Sequence, residues 1–341
     1  MSDFNVNIFQ HRGNSYQIGL NLGKQLFGTR IPQRFEKITH PAIDTSNMEE
    51  IYRTFAPHLL DELEGLADGL QVSRAKAAAL FSGCDVPKHE ALGCSAMLTD
   101  DYYVRNYDFT PELYDGYFSL IQPQAAFATA GYNLQVVGRH DGVNERGLVV
   151  GLHFVSNSGY TRGISAWTAI RMVLDTCSIV SEAIDMLKEM PHAGCYNFSM
   201  GDRAGQTAVV EASPEHVVVR EDRSFLTCTN HFQAQSLQHK NRPVIDNSVD
   251  RHTYIQTMNE KKLTQEEVFD HFRDKESPLF YMDYDALFGT LHTFSYGYKN
   301  GRILTSIAQS DQVLDIHFDE WVAESDLSEQ LLQGMIERPM K

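Results

Sequence analysis

The sequence reads as an α+β protein in which two packed sheets are covered by helices, preceded by a helical segment. Three observations carry that reading. Up to about residue 90, apolar residues recur at steps of three and four, the spacing of one helical face. After Cys94, short Val-rich runs bounded by turn residues take over, the pattern of strands. Between and beyond those runs lie helical stretches that open at Ser or Thr in cap positions.

The elements follow in order. YQIGLNLGKQLFG (16–28) predicts a first helix. In the stretch 48–70, Ile51, Phe55, Leu59, Leu63, Leu66 and Leu70 form one helical stripe, and Pro57 inside it predicts a kink or a break. SRAKAAALF (73–81) predicts a third helix capped by Ser73. CSAML and YYVRNYDF flank a Thr-Asp-Asp turn and predict a hairpin. LQVVG (134–138), RGLVVGLHFV (146–155), TAVVEAS (207–213) and HVVVRE (216–221) predict strands, the last two joined through Pro214 and Glu215. Helices are expected over 165–177 and 181–190, each at a Ser cap, and over 264–272, where Thr264 and Glu267 have capping-box spacing. The tail predicts strands at 301–308 and 312–318, then a closing helix. One compact domain is expected, divided by function into 1–93, a helical N-terminal segment released or retained after cleavage, and 94–341, the catalytic region.

Composition narrows the function classes. A net charge of −16 argues against a nucleic-acid or anionic-membrane surface. No apolar run approaches the ~18 residues of a membrane span, and MSDFNVNIFQHRG has no basic-then-apolar leader pattern, so a cytoplasmic location is expected. The five cysteines, Cys84, Cys94, Cys177, Cys195 and Cys228, are odd in number and show no CxxC spacing, against a disulfide framework or a zinc ribbon. No HExxH, Walker or GxGxxG pattern appears, so no metal and no cofactor are expected.

Cys94, directly after Gly93, is the residue with chemistry to explain. A thiol reacts as its thiolate, and at a pKa of about 8.5 a free cysteine is mostly protonated. Hydrolysis of the preceding bond would supply a base, because the freed α-amine has a pKa of about 7.7–8.0. A Gly before the bond permits strained backbone. If Asp100-Asp101 is a two-residue turn, Cys94 lies opposite Tyr107, and Arg105 is its diagonal neighbour on the same sheet face. A guanidinium there lowers the thiol pKa and orients a carbonyl. Asp108 has the opposite parity and reaches the site only past the strand end or beyond a bulge. A tetrahedral intermediate also needs hydrogen-bond donors. Asn230 in FLTCTNHF offers an amide, and the backbone N–H of His153 in GLHF a second donor.

At these residues the chain resembles the acyl-CoA:6-aminopenicillanic acid acyltransferase family of N-terminal-nucleophile hydrolases, related to choloylglycine hydrolases, penicillin V acylases and acid ceramidase. SYQIGLNLG, PHLLDELEGLADGL, GCSAM, VRNYDF, DGVNERGLVVGLHF, NFSMGDRAGQTAVVEAS, TCTNHF and DNSVDRHTY carry the resemblance in that order. It implies a four-layer αββα fold and autocatalytic cleavage between Gly93 and Cys94. It also implies Cys94 as nucleophile, Arg105 and Asp108 as supporting pair, Asn230 as oxyanion donor and Arg251 as a second active-site arginine. His153 departs from the family's usual Asn or Tyr. Asn144, in DGVNERGL, matches a recurrent position with a mainly structural role.

The reaction expected is cleavage or transfer of the acyl group of a linear amide through a cysteine thioester. The partners are a small-molecule amide and water, an amine or an acyl-CoA, with a homo-oligomer left open. Two competing readings stand beside it: an uncleaved thiol hydrolase using His153 or His231, and a catalytically silent binding or structural member of the fold. Residue by residue, Arg105 and Asp108 also fit a surface ion pair, Asn230 a turn residue, and Arg242 competes with Arg251. The tyrosines, Tyr102, Tyr103, Tyr107, Tyr114 and Tyr117 among them, read mostly as core, a few as walls of an acyl pocket.

Overall fold

The computed structural model of the chain describes residues 2–88 and 93–337. The N-terminal part begins with a strand, β1 (Ser2–Gly13), not a helix. Phe4, Val6 and Ile8 point inward while Asp3, Asn5 and Asn7 are exposed, so the period is two, and the expectation of an all-helical start is corrected. Five helices follow: α1 (Ser15–Leu26), α2 (Ile31–Glu36), α3 (Thr45–Phe55), α4 (His58–Leu70) and α5 (Arg74–Phe81). The stripe over 48–70 breaks at Pro57 into α3 and α4, and Ser73 caps α5 by accepting from the Lys76 N–H. α1 and α4 pack backbone to backbone. A Cβ on Gly19 would sit 1.9 Å from the Glu62 carbonyl oxygen, and one on Gly65 2.0 Å from that of Tyr16.

The chain then runs through β2 (Gly93–Thr99), β3 (Tyr102–Phe109), β4 (Tyr117–Pro123), β5 (Thr129–Leu134), β6 (Gly138–Asn144) and β7 (Val149–Ser156). Helices α6 (Ala166–Thr176) and α7 (Val180–Glu189) come next, then β8 (Cys195–Gly201), β9 (Thr207–Ala212), β10 (Val217–Glu221) and β11 (Phe225–Cys228). The last third holds α8 (Asp246–Asn259), α9 (Gln265–Arg273), β12 (Met282–Asp283), β13 (Phe288–Gly297), β14 (Arg302–Ile307), β15 (Leu314–His317), α10 (Phe318–Val322) and β16 (Leu331–Ile336). Three expectations change here. LQVVG is a turn over 135–137, not a strand. Ser181 lies inside α7, whose first N–H, that of Val180, is taken by Asp202, while Ser178 ahead of the helix donates to Glu182. Among the described residues, the tail holds the short α10 and then a strand, β16, where a closing helix was expected.

One sheet has the order β10-β9-β8-β7-β6-β5-β4-β1-β16, the other β11-β2-β3-β13-β14-β15 with β12 beside β13. All pairs are antiparallel except β1 with β4. Three apolar layers separate four structural ones. Ile18, Leu22, Leu66, Ile170 and Val173 of the helices pack on one face of the larger sheet. Ala96, Leu98, Tyr103, Val143, Val149 and Phe294 fill the space between the sheets. Ile255, Met258, Val268 and Phe272 of α8 and α9 cover the outer face of the smaller sheet. The molecule is thus a four-layer αββα sandwich.

Candidate active site

The β2–β3 hairpin sets the site. Its register pairs Cys94 with Tyr107 and Gly93 with Asp108, the pairing that a turn at Asp100-Asp101 requires. Strand alternation then sorts the side chains. Cys94, Arg105 and Tyr107 face the space between the sheets, and Ser95, Asn106 and Asp108 face α8 and α9. Asn106 confirms the second direction by donating to the carbonyls of Phe272 and Leu279.

On the inner face, Arg105 Nη2 donates to Cys94 Sγ at 3.1 Å and to the Leu152 carbonyl at 2.5 Å. Its Nη1 pairs with Asp141, and its guanidinium lies 5.3 Å from the Tyr107 ring centre. Asp141 also accepts from His292 Nε2 at 2.8 Å. Arg105, Asp141 and His292 are all fully buried, so the guanidinium is held from behind by a carboxylate that is itself held.

On the outer face, Asp108 Oδ1 accepts from Thr290 Oγ1 at 2.7 Å, while Oδ2 has no hydrogen-bond partner among the described residues. A Cβ on Gly93 would sit 2.6 Å from that oxygen and 2.4 Å from the Phe288 ring. Gly93 is therefore required by close approach. Its φ lies outside the left-handed region. Asp108 reaches the Gly93–Cys94 peptide from within β3, beside Gly93, and the bulge in the neighbouring pairing falls on β13, between Thr290 and His292.

Asn230 and Arg251 close the site around the backbone of Cys94. The Cys94 N–H donates to Asn230 Oδ1 at 2.8 Å. Arg251 Nη2 donates to the same oxygen at 2.9 Å, and its Nη1 to the Cys94 carbonyl at 2.6 Å and to Ser95 Oγ at 2.8 Å. Asn230 Nδ2 donates to the Phe154 carbonyl at 2.8 Å. Strand residues send N–H and C=O to the same edge and alternate edges along the chain. With the Leu152 and Phe154 carbonyls turned to Arg105 and Asn230, His153 sends its N–H toward Asn197, its partner on β8. The backbone groups on the Cys94 edge thus belong to Leu152 and Phe154, which corrects the placement of a donor at His153.

Burial raises the Cys94 thiol pKa, opposed chiefly by Arg105. Burial likewise raises Asp108, opposed by Arg251 and the Thr290 bond. Neither candidate histidine is a ready base. Burial pushes His153 well below its ordinary range, and burial and then His252 bring His231 down to about 4. His153 Nε2 pairs with Ser199 Oγ and His231 Nδ1 with Ser248 Oγ, each at 2.8 Å. Among the described residues, the hydrogen-bond partner of Cys94 Sγ is Arg105.

Two clefts lie near the site, and the first reaches the hairpin at Tyr107 and Phe109. The first is apolar, with a cavity volume of about 90 Å³, and is walled by Tyr107, Phe109, Leu152, Phe154, Trp167 and Tyr196. No charged side chain is among its described lining residues, and Phe35, Ile38 and Val86 of the N-terminal segment complete it. The second opens on the other face and is lined by Arg242, Val244, Ser248, Arg251 and Phe288. Of the tyrosines singled out in the sequence, Tyr107 reaches the apolar cleft, and Tyr102, Tyr103, Tyr114 and Tyr117 do not line it.

Asp141 and His292 escaped the sequence reading. Asp141 stands in the DGVNERGL block, three residues before Asn144, and was not singled out. Asn144 is a scaffold residue that donates to the carbonyls of Leu174 and Cys177 and accepts from the Arg146 and Leu148 N–H groups.

Several solved structures resemble this one at low identity. A variant of conjugated bile acid hydrolase from Clostridium perfringens matches with a TM-score of 0.44 at 13% identity, over 73% of this chain and 98% of that one. Penicillin V acylase from Agrobacterium tumefaciens matches with a TM-score of 0.39 at 14% identity, over 66% and 86%. The Caenorhabditis elegans ortholog of N-acylethanolamine-hydrolyzing acid amidase matches with a TM-score of 0.40 at 14% identity, over 60% and 93%. No curated protein matches the sequence. The family model for acyl-coenzyme A:6-aminopenicillanic acid acyl-transferase matches residues 97–312, more than half of the chain and beginning three residues after Cys94, and the chain belongs to that family.

Proposed function

We propose that the protein is an autoprocessing amidohydrolase or acyltransferase whose nucleophile is Cys94 and whose base is the α-amine freed by cleavage after Gly93. The observation that carries this reading is the convergence on one residue. The Cys94 nitrogen is held by Asn230, its carbonyl by Arg251 and its sulfur by Arg105. Family membership supports the same chemistry.

In processing, Cys94 Sγ adds to the Gly93 carbonyl, the peptide bond to the Cys94 nitrogen breaks, and water hydrolyses the thioester. Asp108 Oδ2, beside Gly93, is placed to hold the new ammonium group. In turnover, the neutral amine takes the thiol proton and the sulfur attacks the substrate carbonyl. Asn230 Nδ2 and an N–H on the Leu152–Phe154 edge stabilise the oxyanion. The amine leaves with the proton, and water or a second amine releases the acyl group. The apolar cleft takes the acyl half and the cleft at Arg251 the amine half. Neither His153 nor His231 is a hydrogen-bond partner of Cys94 Sγ among the described residues, which argues against the uncleaved cysteine–histidine alternative.

Mass spectrometry of the protein mixed with a panel of N-acyl amides tests the reaction, with and without added amine. An acyl adduct on Cys94 that hydroxylamine removes supports it. Turnover that survives Cys94→Ala contradicts it.

A further inference from the structure

The turn between β5 and β6 is held in a conformation its residues disfavour. Gln135 and Val136 both sit at positive φ, +56° and +66°. There a side chain crowds the neighbouring carbonyl, and a β-branched one does so most. Such backbones persist where surroundings over-determine them. Here one carboxylate takes the N–H groups of both residues. Asp115, buried between β3 and β4, accepts the Gln135 N–H at 3.1 Å on one oxygen and the Val136 N–H at 2.5 Å on the other. Asn133 Nδ2 adds a bond to the Val136 carbonyl at 2.6 Å.

The turn carries the wall of the apolar cleft. Gln135 Oε1 accepts from the Trp167 indole N–H at 2.8 Å, and Gln135 Nε2 donates to the Leu80 carbonyl at 2.5 Å. Leu134, Gln135 and Trp167 all line the cleft, which reaches Tyr107, the cross-strand partner of Cys94. The indole also packs on the far end of the turn, where a Cβ on Gly138 would lie 2.5 Å from it. Asp115 itself does not line the cleft.

We propose that Asp115 is a positioning residue for substrate selection: its grip on the turn fixes Gln135, Gln135 fixes Trp167, and the indole sets how long an acyl group the cleft admits. The proposal rests on the amide-cleaving function above. It is tested with wild type, Asp115→Asn, Gln135→Met and the double variant Asp115→Asn/Val136→Gly. Each is assayed on linear N-acyl p-nitroanilides from acetyl to dodecanoyl. Asp115→Asn and Gln135→Met are expected to raise KM for octanoyl and longer chains about tenfold, the size of one lost buried hydrogen bond, and Asp115→Asn to leave acetyl kinetics unchanged. Val136→Gly is expected to restore the Asp115→Asn enzyme, because glycine takes positive φ without a grip. A chain-length profile parallel to wild type, or no rescue, overturns the proposal. If Asp115→Asn does not fold, Gln135→Met decides by the same criterion.

Quenching of Trp167 by dodecanoate separates this proposal from the reading it rests on. The other tryptophan, Trp321, lies in the separate core between the sheets. Should wild type cleave no amide, the amidase reading falls. Dodecanoate binding that weakens in Asp115→Asn and returns in the double variant still supports the wall, and unchanged binding overturns it.

Discussion

Arg105 shows how a residue's partners decide what its removal does. Its guanidinium serves Cys94 on one side and Asp141 on the other, with both partners buried. Replacing Arg105 by Met leaves the Asp141 charge with His292 alone, and breaking a buried pair this way costs about 3–5 kcal/mol. Urea unfolding of Arg105→Met should show that loss, and adding Asp141→Asn should return part of it. A double variant no more stable than the single one contradicts the pairing. Asp115 gives a pH prediction. Burial raises its pKa to about 7, against the Val136 and Gln135 N–H bonds and Arg34. Tyr107, Tyr114 and Tyr117 also face it. Because the folded pKa lies above the unfolded one, protonation favours the fold. The contribution is fully present below pH ~4 and is lost as pH rises through about 7, by at most ~4 kcal/mol. Asp115→Asn should flatten the fall in unfolding free energy between pH 4 and 7, and an unchanged slope would refute the assignment. Cys94, Arg105 and Tyr107 could be set on one face from sequence because a two-residue turn fixes the register locally. Asp141 and His292 could not, because their partnership joins strands from the two sheets.

At the scale of elements, the α1–α4 seam is built on glycine. Gly65→Ala would drive a Cβ into the Tyr16 carbonyl, and overpacking of this kind costs about 1–3 kcal/mol. A lowered thermal midpoint is expected, and an unchanged one would show that the helices separate freely. The helices were readable from the apolar stripe over 48–70 and from the caps at Ser73 and Thr264, the latter forming the full capping box with Glu267, whereas the caps at Asn14 and Asp44 went unread. LQVVG was misread for the converse reason. Its composition favours a strand, yet a carboxylate twenty residues earlier in sequence bends it into a turn. Alternation in β1 was present in the sequence, but the stronger helical signal that follows it masked the change of period.

For the whole molecule, the position of β1 decides the fate of the N-terminal segment. β1 lies between β4 and β16, inside the larger sheet, and losing it would open two strand edges. A buried charge cluster crosses the same boundary: Arg171 binds Glu62 with both terminal nitrogens and Asp175 with Nε, and His58 closes on Asp175. Both fragments should therefore elute together in gel filtration after cleavage and part only in denaturant, with Glu62→Gln loosening them. A C-terminal fragment that elutes alone and folded would contradict this. No helix among the described residues is long and apolar enough to cross a membrane. The four-layer order was legible as alternating strand and helix patterns, whereas the pairing of the first strand with the last is a long-range choice that only packing reveals.

The central claim is that the working protein carries a free amine on Cys94, and intact mass under denaturing conditions reads it directly. Fragments of 93 and 248 residues (341 − 93 = 248) are expected, with cysteine first in the larger one, and only the full-length mass in Cys94→Ala. A fully active preparation that shows the unbroken chain alone would contradict the account.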